Sequence, residues 1–318
     1  MNILITGGSG FIGTYLIEEL EKSGHNIKIY DKQISKNYPK YTIKGDIRDL
    51  ESLTNACKNI DIIYHLAAEH ADNVTPVSLY NEVNIEGTQN VIDAAKNNNI
   101  HKIIFISSVA IYGLNKGECD ETYKPAPFNM YGHSKLGAEK ICTTWAKEDK
   151  KNSIVILRPS VVFGERNRGN VYNLIKQIHS GKFMMIGKGE NKKSMGYVRN
   201  ISTFLALQTV VKPGIYFYNF ADKPDLTSRE IIDIIYSELN KKNIVFYIPY
   251  YLGLLGGYIF DLLSFITRRK FSISSIRIKK FSAQTAINTD KLKATGFKPP
   301  YTIEEGLRRT IKYEFLNK

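Results

Sequence analysis

Three side chains in this sequence have the types and spacing to move a proton and a hydride at one carbon. Tyr131 and Lys135 stand four apart in Tyr131-Gly132-His133-Ser134-Lys135, which on a helix puts them on one face, one turn apart. An ammonium so placed favours the phenolate and draws a tyrosine pKa below its unperturbed value of about 10. A phenol tuned in this way takes a proton from an alcohol hydroxyl while hydride leaves the same carbon. Ser108 ends the apolar run Ile103-Ile104-Phe105-Ile106-Ser107-Ser108, where its hydroxyl could reach the same carbinol oxygen; a capping serine is the alternative. Tyr-x-x-x-Lys arises by chance in a chain rich in both residues, so its meaning depends on the elements around it.

Those elements begin at the amino terminus. Met1 to Thr6 is a short apolar run, followed by Gly7-Gly8-Ser9-Gly10-Phe11-Ile12-Gly13, and Leu16, Ile17 and Leu20 continue at helical spacing. Gly8, Gly10 and Gly13 fit G-x-G-x-x-G, and Gly7 extends the pattern. Such a turn between strand and helix brings a dinucleotide pyrophosphate against backbone amides at a helix amino terminus. Gly7, Gly10, Phe11, Ile12 and Gly13 are therefore cofactor-binding candidates. Asp31 ends the next run, Ile27-Lys28-Ile29-Tyr30. A carboxylate there accepts from both ribose hydroxyls and repels a 2′-phosphate, which favours NAD over NADP; a turn aspartate is the competing reading, and Lys32 beside it works against the NAD choice. Further runs at Asp61–Leu66 and Ile103–Ser108, with a helical stretch from Asn90 to Ala95, continue the alternation. The pattern predicts an α/β fold: a Rossmann-type doubly wound parallel sheet with a smaller carboxyl-terminal substrate lobe, its site at the carboxyl ends of the strands. Residues 1–170, with 196–222 returning to them, form the expected nucleotide domain; 171–195 and 223–318 form the lobe.

Bulk properties narrow the setting. The chain has 318 residues, of ordinary hydrophobic and charged content. Three cysteines (Cys57, Cys119, Cys142) without a C-x-x-C pair argue against a disulfide framework or a metal site and fit a reducing compartment. The amino terminus reads straight into a strand, so no signal peptide is expected. The formal charge of +13 is unusual and asks for an anionic partner.

Taken together, Gly7–Gly13, Asp31, Gly45-Asp46-Ile47-Arg48, His65-Leu66-Ala67-Ala68, Asn84-Ile85-Glu86-Gly87-Thr88, Ser107-Ser108 with Tyr112-Gly113, and Tyr131–Lys135 resemble the extended short-chain dehydrogenase/reductases, the group of nucleotide-sugar epimerases, dehydratases and reductases. The resemblance implies Ser108, Tyr131 and Lys135 as the catalytic set. It also implies Asp46 and Ile47 along the adenine, Leu66, Ala67 and Ala68 beside the cofactor, and Asn84 as a structural or relay residue. Dehydratases of this group place acidic residues after the catalytic Ser or Thr; here Val109 and Ala110 stand there, which argues against that chemistry. A reductase would more often take NADPH, so epimerisation with retained NAD is the expected reaction. In it Tyr131 takes the proton of the sugar 4-hydroxyl, and the C4 hydride passes to NAD and back to the opposite face. Ser108 hydrogen-bonds the same oxygen, and Lys135 holds the tyrosine pKa down and binds the nicotinamide ribose, so Tyr131, Lys135 and Asn84 also count among the cofactor-binding candidates.

The second half bears on the carrier of the sugar. Arg166 and Arg168 in Gly164–Asn170 suit a diphosphate, with Asn170 beside them as a further substrate candidate; solvated surface arginines are the equal alternative. Two positions that hold UDP in the soluble enzymes of the group correspond to Val161 and Met195, which puts uridine recognition in doubt. Residues 244–266, which begin Ile244-Val245-Phe246, are the most apolar part of the chain, interrupted by Pro249, Gly256-Gly257 and Asp261, so a spanning helix is not expected. Eight bases flank or follow this segment (Lys241, Lys242, Arg268, Arg269, Lys270, Arg277, Lys279, Lys280); with one acid they give +7 over residues 241–280. An apolar, aromatic segment bordered by bases resembles an interfacial anchor on anionic lipid, the alternative being a buried lobe helix with a basic edge; nucleic acid is not expected.

A wider resemblance covers nearly the whole chain. It includes Ala68-Glu69-His70, Tyr112-Gly113-Leu114-Asn115-Lys116, Gly164 through Ile178, Lys182-Phe183-Met184-Met185 and Asp222-Lys223-Pro224-Asp225-Leu226. It is to bacterial enzymes of O-antigen synthesis that epimerise N-acetylglucosamine on diphospho-undecaprenol, and it implies a peripheral enzyme on the cytoplasmic face of the membrane, with a homodimer through paired helices as an option. Phe183 to Met185 would line an N-acetyl pocket or simply core. The competing readings are a soluble UDP-N-acetylglucosamine 4-epimerase, a 4-keto-sugar reductase, and a catalytically idle NAD-binding protein.

Overall fold

Short runs of aliphatic residues become strands wherever alternate side chains find apolar partners on both faces. In chain order these are β1 (Asn2–Thr6), β2 (Asn26–Asp31), β3 (Thr42–Lys44), β4 (Ile62–His65), β5 (Lys102–Ile106) and β6 (Ser153–Pro159). Then follow β7 (Val161–Phe163), β8 (Met184–Ile186), β9 (Lys192–Tyr197), β10 (Gly214–Phe220), β11 (Asp222–Thr227) and β12 (Phe246–Ile248). The computed structural model describes residues 1–71, 74–114, 116–242, 246–269, 271 and 274–316; Asn115, Ile244, Val245 and Lys270, which the sequence patterns include, lie outside these.

Seven strands form one parallel sheet in the order β10-β6-β5-β4-β1-β2-β3. The order reverses between β1 and β4, which opens a crevice at their carboxyl ends. Period-two alternation sends neighbouring residues to opposite cores. Leu4, Ile63, Phe105 and Ile156 pack with Val91 and Trp145 on one face, against helices Gly87–Asn97 and Met130–Glu148. Ile5, Ile104 and Leu157 pack with Leu16 and Phe204 on the other, against helices Phe11–Lys22 and Val198–Ala206.

The strands outside this sheet make up two smaller sheets of a lobe. It carries the three-stranded sheet β11-β9-β7 and the parallel pair β12-β8. A third apolar cluster joins it to helix Phe11–Lys22: Tyr15 of that helix and Phe163 pack there with Ile175, Met185, Tyr197, Ile232 and Leu307.

The apolar segment is less interrupted than its sequence suggests. Pro249 stands at the amino-terminal cap of one continuous helix, Tyr250–Thr267, which Gly256, Gly257 and Asp261 leave unbroken. A proline is harmless at a helix start, where its missing N–H has no partner to lose. Asp261 turns inward and accepts the Ser275 N–H at 3.1 Å. Gly257 lets helix Ser275–Ser282 approach, since a Cβ there would stand 2.8 Å from both the Ser275 Cα and the Ile278 Cδ1. Among its described neighbours the helix rests on that helix and on Ile186 of β8. Its outer side is bare: Tyr251 is 82% and Phe265 84% exposed, with Leu252, Leu255, Ile259, Leu262 and Ile266 all more than half exposed.

Candidate active site

The three residues singled out for their chemistry meet at the carboxyl edge of β5. Ser108 follows that strand and opens a single turn, Val109–Tyr112, whose Ala110 N–H its hydroxyl oxygen accepts at 3.1 Å. Helix Met130–Glu148 starts beside this turn, capped by Asn129, which accepts the Gly132 N–H at 2.9 Å. Gly132 is what allows the approach, for a Cβ on it would lie 2.6 Å from the Ala110 carbonyl oxygen. Tyr131 is thereby brought into hydrogen bonding with Ser108, so Ser108 is both a cap and a partner of the phenol.

The electrostatics depart from the simple expectation. Burial pushes the Tyr131 phenol up to about 12, and the hydrogen bond with Ser108, rather than Lys135, works against that rise. Lys135 is itself buried; its ammonium donates to the Ile106 carbonyl at 2.7 Å and lies 4.7 Å from the Phe105 ring centroid. Desolvation draws it down to about 8, because a buried ammonium with one carbonyl acceptor loses more hydration than it recovers.

The glycine turn forms the opposite wall of the crevice. Gly7 has φ +72°, and a Cβ there would lie 2.5 Å from the Ala67 backbone nitrogen; on Gly13 it would lie 2.5 Å from the Gly8 carbonyl oxygen. Both positions need glycine, and Leu66, Ala67 and Ala68 run beside them, partly buried. Asp31 sits at the rim, where it accepts the Ser9 N–H at 3.0 Å and the Gln33 N–H at 2.9 Å. Lys32 is engaged by Glu69 at 3.0 Å. This open backbone cradle, with a carboxylate at the end of β2, fits a dinucleotide with free ribose hydroxyls; Gly10, Phe11, Ile12 and Gly13 lie at the helix amino terminus that would face its pyrophosphate.

Other candidates are drawn into the protein. Asp46 is tied to Arg48, whose guanidinium holds its carboxyl below the usual range. Ile47 is buried in the core, against Gly87. Asn84 donates its amide hydrogens to the Glu69 carbonyl and Ser134 Oγ while its oxygen accepts the Glu69 N–H, so it positions the loop after β4 against helix Met130–Glu148. His65 is buried between Thr6 and Thr88, at 2.7 and 3.0 Å, and desolvation draws it down to about 3.

The arginines expected to hold a diphosphate have partners elsewhere. Arg168 pairs with Glu314 at 2.7 Å and lies over the Tyr172 ring; the Arg166 N–H donates to Glu314 at 2.6 Å and its Nε to the Tyr313 hydroxyl at 3.3 Å. Asn170 is the exposed first residue of helix Asn170–His179. Met195 is buried in the third core cluster, as are Phe183 and Met185, whereas Val161 is 37% exposed.

One feature was not foreseen from the sequence: a cavity of about 610 Å³ in the lobe, lined by Leu114, Gly187-Lys188-Gly189, Asn191, Tyr250, Lys279 and Ser282 among others. Helix Ser275–Ser282 forms one wall, and its Lys280 lies 5.6 Å from the ring centroid of Phe128, three residues before Tyr131. The signal available in the sequence was Gly187-Lys188-Gly189.

Comparison with known proteins decides the family. The model of the NAD dependent epimerase/dehydratase family matches residues 3–216. The chain belongs to this family. The epimerase chemistry and the NAD cofactor expected from the motifs agree with it. An Escherichia coli O157:H7 relative, described as N-acetyl-alpha-D-glucosaminyl-diphospho-ditrans,octacis-undecaprenol 4-epimerase, is 49% identical over 99% of this chain and 96% of its own length. Among solved structures, a UDP-glucuronic acid 4-epimerase from Bacillus cereus in complex with NAD is 25% identical, with a TM-score of 0.79 over 98% of each chain. A UDP-N-acetylglucosamine 4-epimerase from Methanobrevibacter ruminantium M1 in complex with UDP-N-acetylmuramic acid is 25% identical, with a TM-score of 0.77 over 100% of this chain and 99% of the other. The Rossmann-type parallel sheet agrees with the fold expected from the alternating pattern.

Proposed function

We propose that this chain is a NAD-dependent sugar 4-epimerase that interconverts N-acetylglucosamine and N-acetylgalactosamine on diphospho-undecaprenol, at the cytoplasmic face of the membrane. The full-length similarity to the Escherichia coli relative carries this reading. NAD, when bound, supplies the hydride acceptor and a positive ring charge that favours the Tyr131 phenolate. Tyr131 then holds and returns the proton of the sugar 4-hydroxyl, Ser108 hydrogen-bonds the same oxygen, and Lys135 orders the crevice floor through Ile106. Gly7, Gly10, Phe11, Ile12, Gly13, Asp31 and Leu66–Ala68 form the cradle for the dinucleotide.

The lipid carrier is supported by the exposed apolar helix Tyr250–Thr267. Its 18 residues span about 27 Å at 1.5 Å per residue, just short of a hydrocarbon core of about 30 Å. Its middle, from Gly253 to Asp261, is docked on Ile186 and helix Ser275–Ser282, which favours a helix lying in the interface over one that crosses. Lys279, 5.3 Å from the Tyr258 ring centroid, and the bases around it suit anionic headgroups, and the lysine-lined cavity beside Tyr250 suits a diphosphate.

The test is a side-by-side assay without added reductant. N-acetylglucosaminyl-diphospho-undecaprenol and UDP-N-acetylglucosamine are each scored for the 4-epimer, with recovery on anionic vesicles measured in parallel. Conversion of the lipid substrate with salt-sensitive vesicle binding is expected. Conversion of the UDP sugar alone would keep the chemistry and discard the carrier; no conversion of either would overturn the epimerase reading.

A further inference from the structure

Behind the crevice lies a buried charge network that takes no direct part in the proton and hydride transfers. Glu139 follows Lys135 by one helical turn on the same face, and both are almost fully buried. Its carboxylate accepts the Ser107 hydroxyl at 2.5 Å and two bonds from the Arg158 guanidinium, Nε at 2.9 Å and Nη2 at 2.7 Å. Arg158 Nη1 donates to the Tyr112 hydroxyl at 2.7 Å, and that hydroxyl donates to Asn219 Oδ1 at 2.8 Å. Ser107 precedes Ser108, and Tyr112 closes the turn that Ser108 opens. The segment that presents Ser108 is thus clamped at both ends by one ion pair.

We propose that Glu139 is a positioning residue for the reaction: it fixes the Ser108 turn through Ser107 and Arg158, and it places a buried carboxylate one helical turn from Lys135. The titratable groups around Lys135 leave it this role. Tyr131 is neutral at rest, His65 is held neutral, and burial drives the Cys142 thiol far up. Two groups raise Lys135 against desolvation, the buried Cys142 thiol first and Glu139 second, and Glu139 is the carboxylate of the two. Arg158 neutralises Glu139 from the far side, so neither charge is buried alone.

The experiment is the pH profile of kcat/KM for three variants, alongside their thermal stability. In the parent the alkaline limb is expected near 8, where Lys135 loses its proton. Glu139→Gln should move that limb down by about one unit, and Glu139→Asp should keep it in place while lowering kcat. Because Glu139→Gln leaves Arg158 unpaired and can fail to fold, the double variant Glu139→Gln/Arg158→Met serves as its replacement; its limb should move in the same direction by less. A limb unchanged in whichever of these charge-removing variants folds, whatever its stability, would overturn the proposal and leave Glu139 a structural residue.

Discussion

Two helices of nearly equal length face opposite environments. Met130–Glu148 is rich in polar residues, yet it buries Ser134, Lys135 and Glu139 among its core-facing side chains. Tyr250–Thr267 is mostly apolar, yet Gly257 is the single residue it buries among those described. Composition alone would assign them the other way round. A buried charge is costly unless paired, so those in the first helix mark a site that the surrounding network sustains. An exposed apolar face of this extent goes beyond the scattered apolar residues of an ordinary surface, and the proposed lipid carrier rests on it.

The contrast can be broken at several points, beginning with the largest effect. Tyr131→Phe removes the proton-carrying hydroxyl and should lower kcat by about 10³-fold while thermal stability holds; an epimer assay showing full turnover would remove Tyr131 from the mechanism. On the exposed helix, Leu255→Ser/Leu262→Ser/Phe265→Ser should weaken vesicle binding by about 100-fold. Folding stability should change little, because these side chains lie open already; a large loss of stability would mean that the face is covered by protein in solution.

His65 sharpens the buried side. Its folded pKa of about 3 lies below the ordinary 6.5, so the unfolded chain binds the extra proton between those values. The stability it contributes is present above 6.5 and is lost as pH falls towards 3, at up to about 1.4 kcal/mol per unit. Denaturant titrations at about pH 7 and about pH 5 should therefore differ by about 2 kcal/mol from this residue, and His65→Gln should flatten that part of the slope. At the seam between exposed helix and lobe, Gly257→Ala gains about 1 kcal/mol of helix propensity but meets Ser275 backbone, at a cost of about 1–3 kcal/mol. A modest net loss is expected, visible as faster proteolysis of the helix. Arg168→Ala should do least to catalysis: its guanidinium is exposed and already paired with the buried Glu314, so KM should stay within about two-fold, whereas a rise of about ten-fold would restore Arg168 as a diphosphate ligand.

Local pattern and tertiary context divide this protein cleanly. The glycine turn, Asp31 and the Tyr131–Lys135 spacing were legible because each depends on a turn, a strand end or a helical face, all set within a few residues. The alternation of strands and helices likewise announced the parallel sheet. What stayed hidden depends on residues far apart in the chain. The Arg168 and Arg166 side chains meet Glu314 and Tyr313 of the carboxyl-terminal segment, respectively, and the lobe cavity needs Gly187–Asn191, Tyr250 and Lys279 together.

The sequence by itself determined the strand-helix alternation of the Rossmann-type sheet and which side chains are candidates for the reaction, since backbone geometry and helical period act locally. Only the tertiary structure decided which charges are paired, how far burial raises Tyr131, and that the most apolar helix lies outside. Those outcomes depend on which surfaces remain once the core is filled, and that is a property of the whole fold.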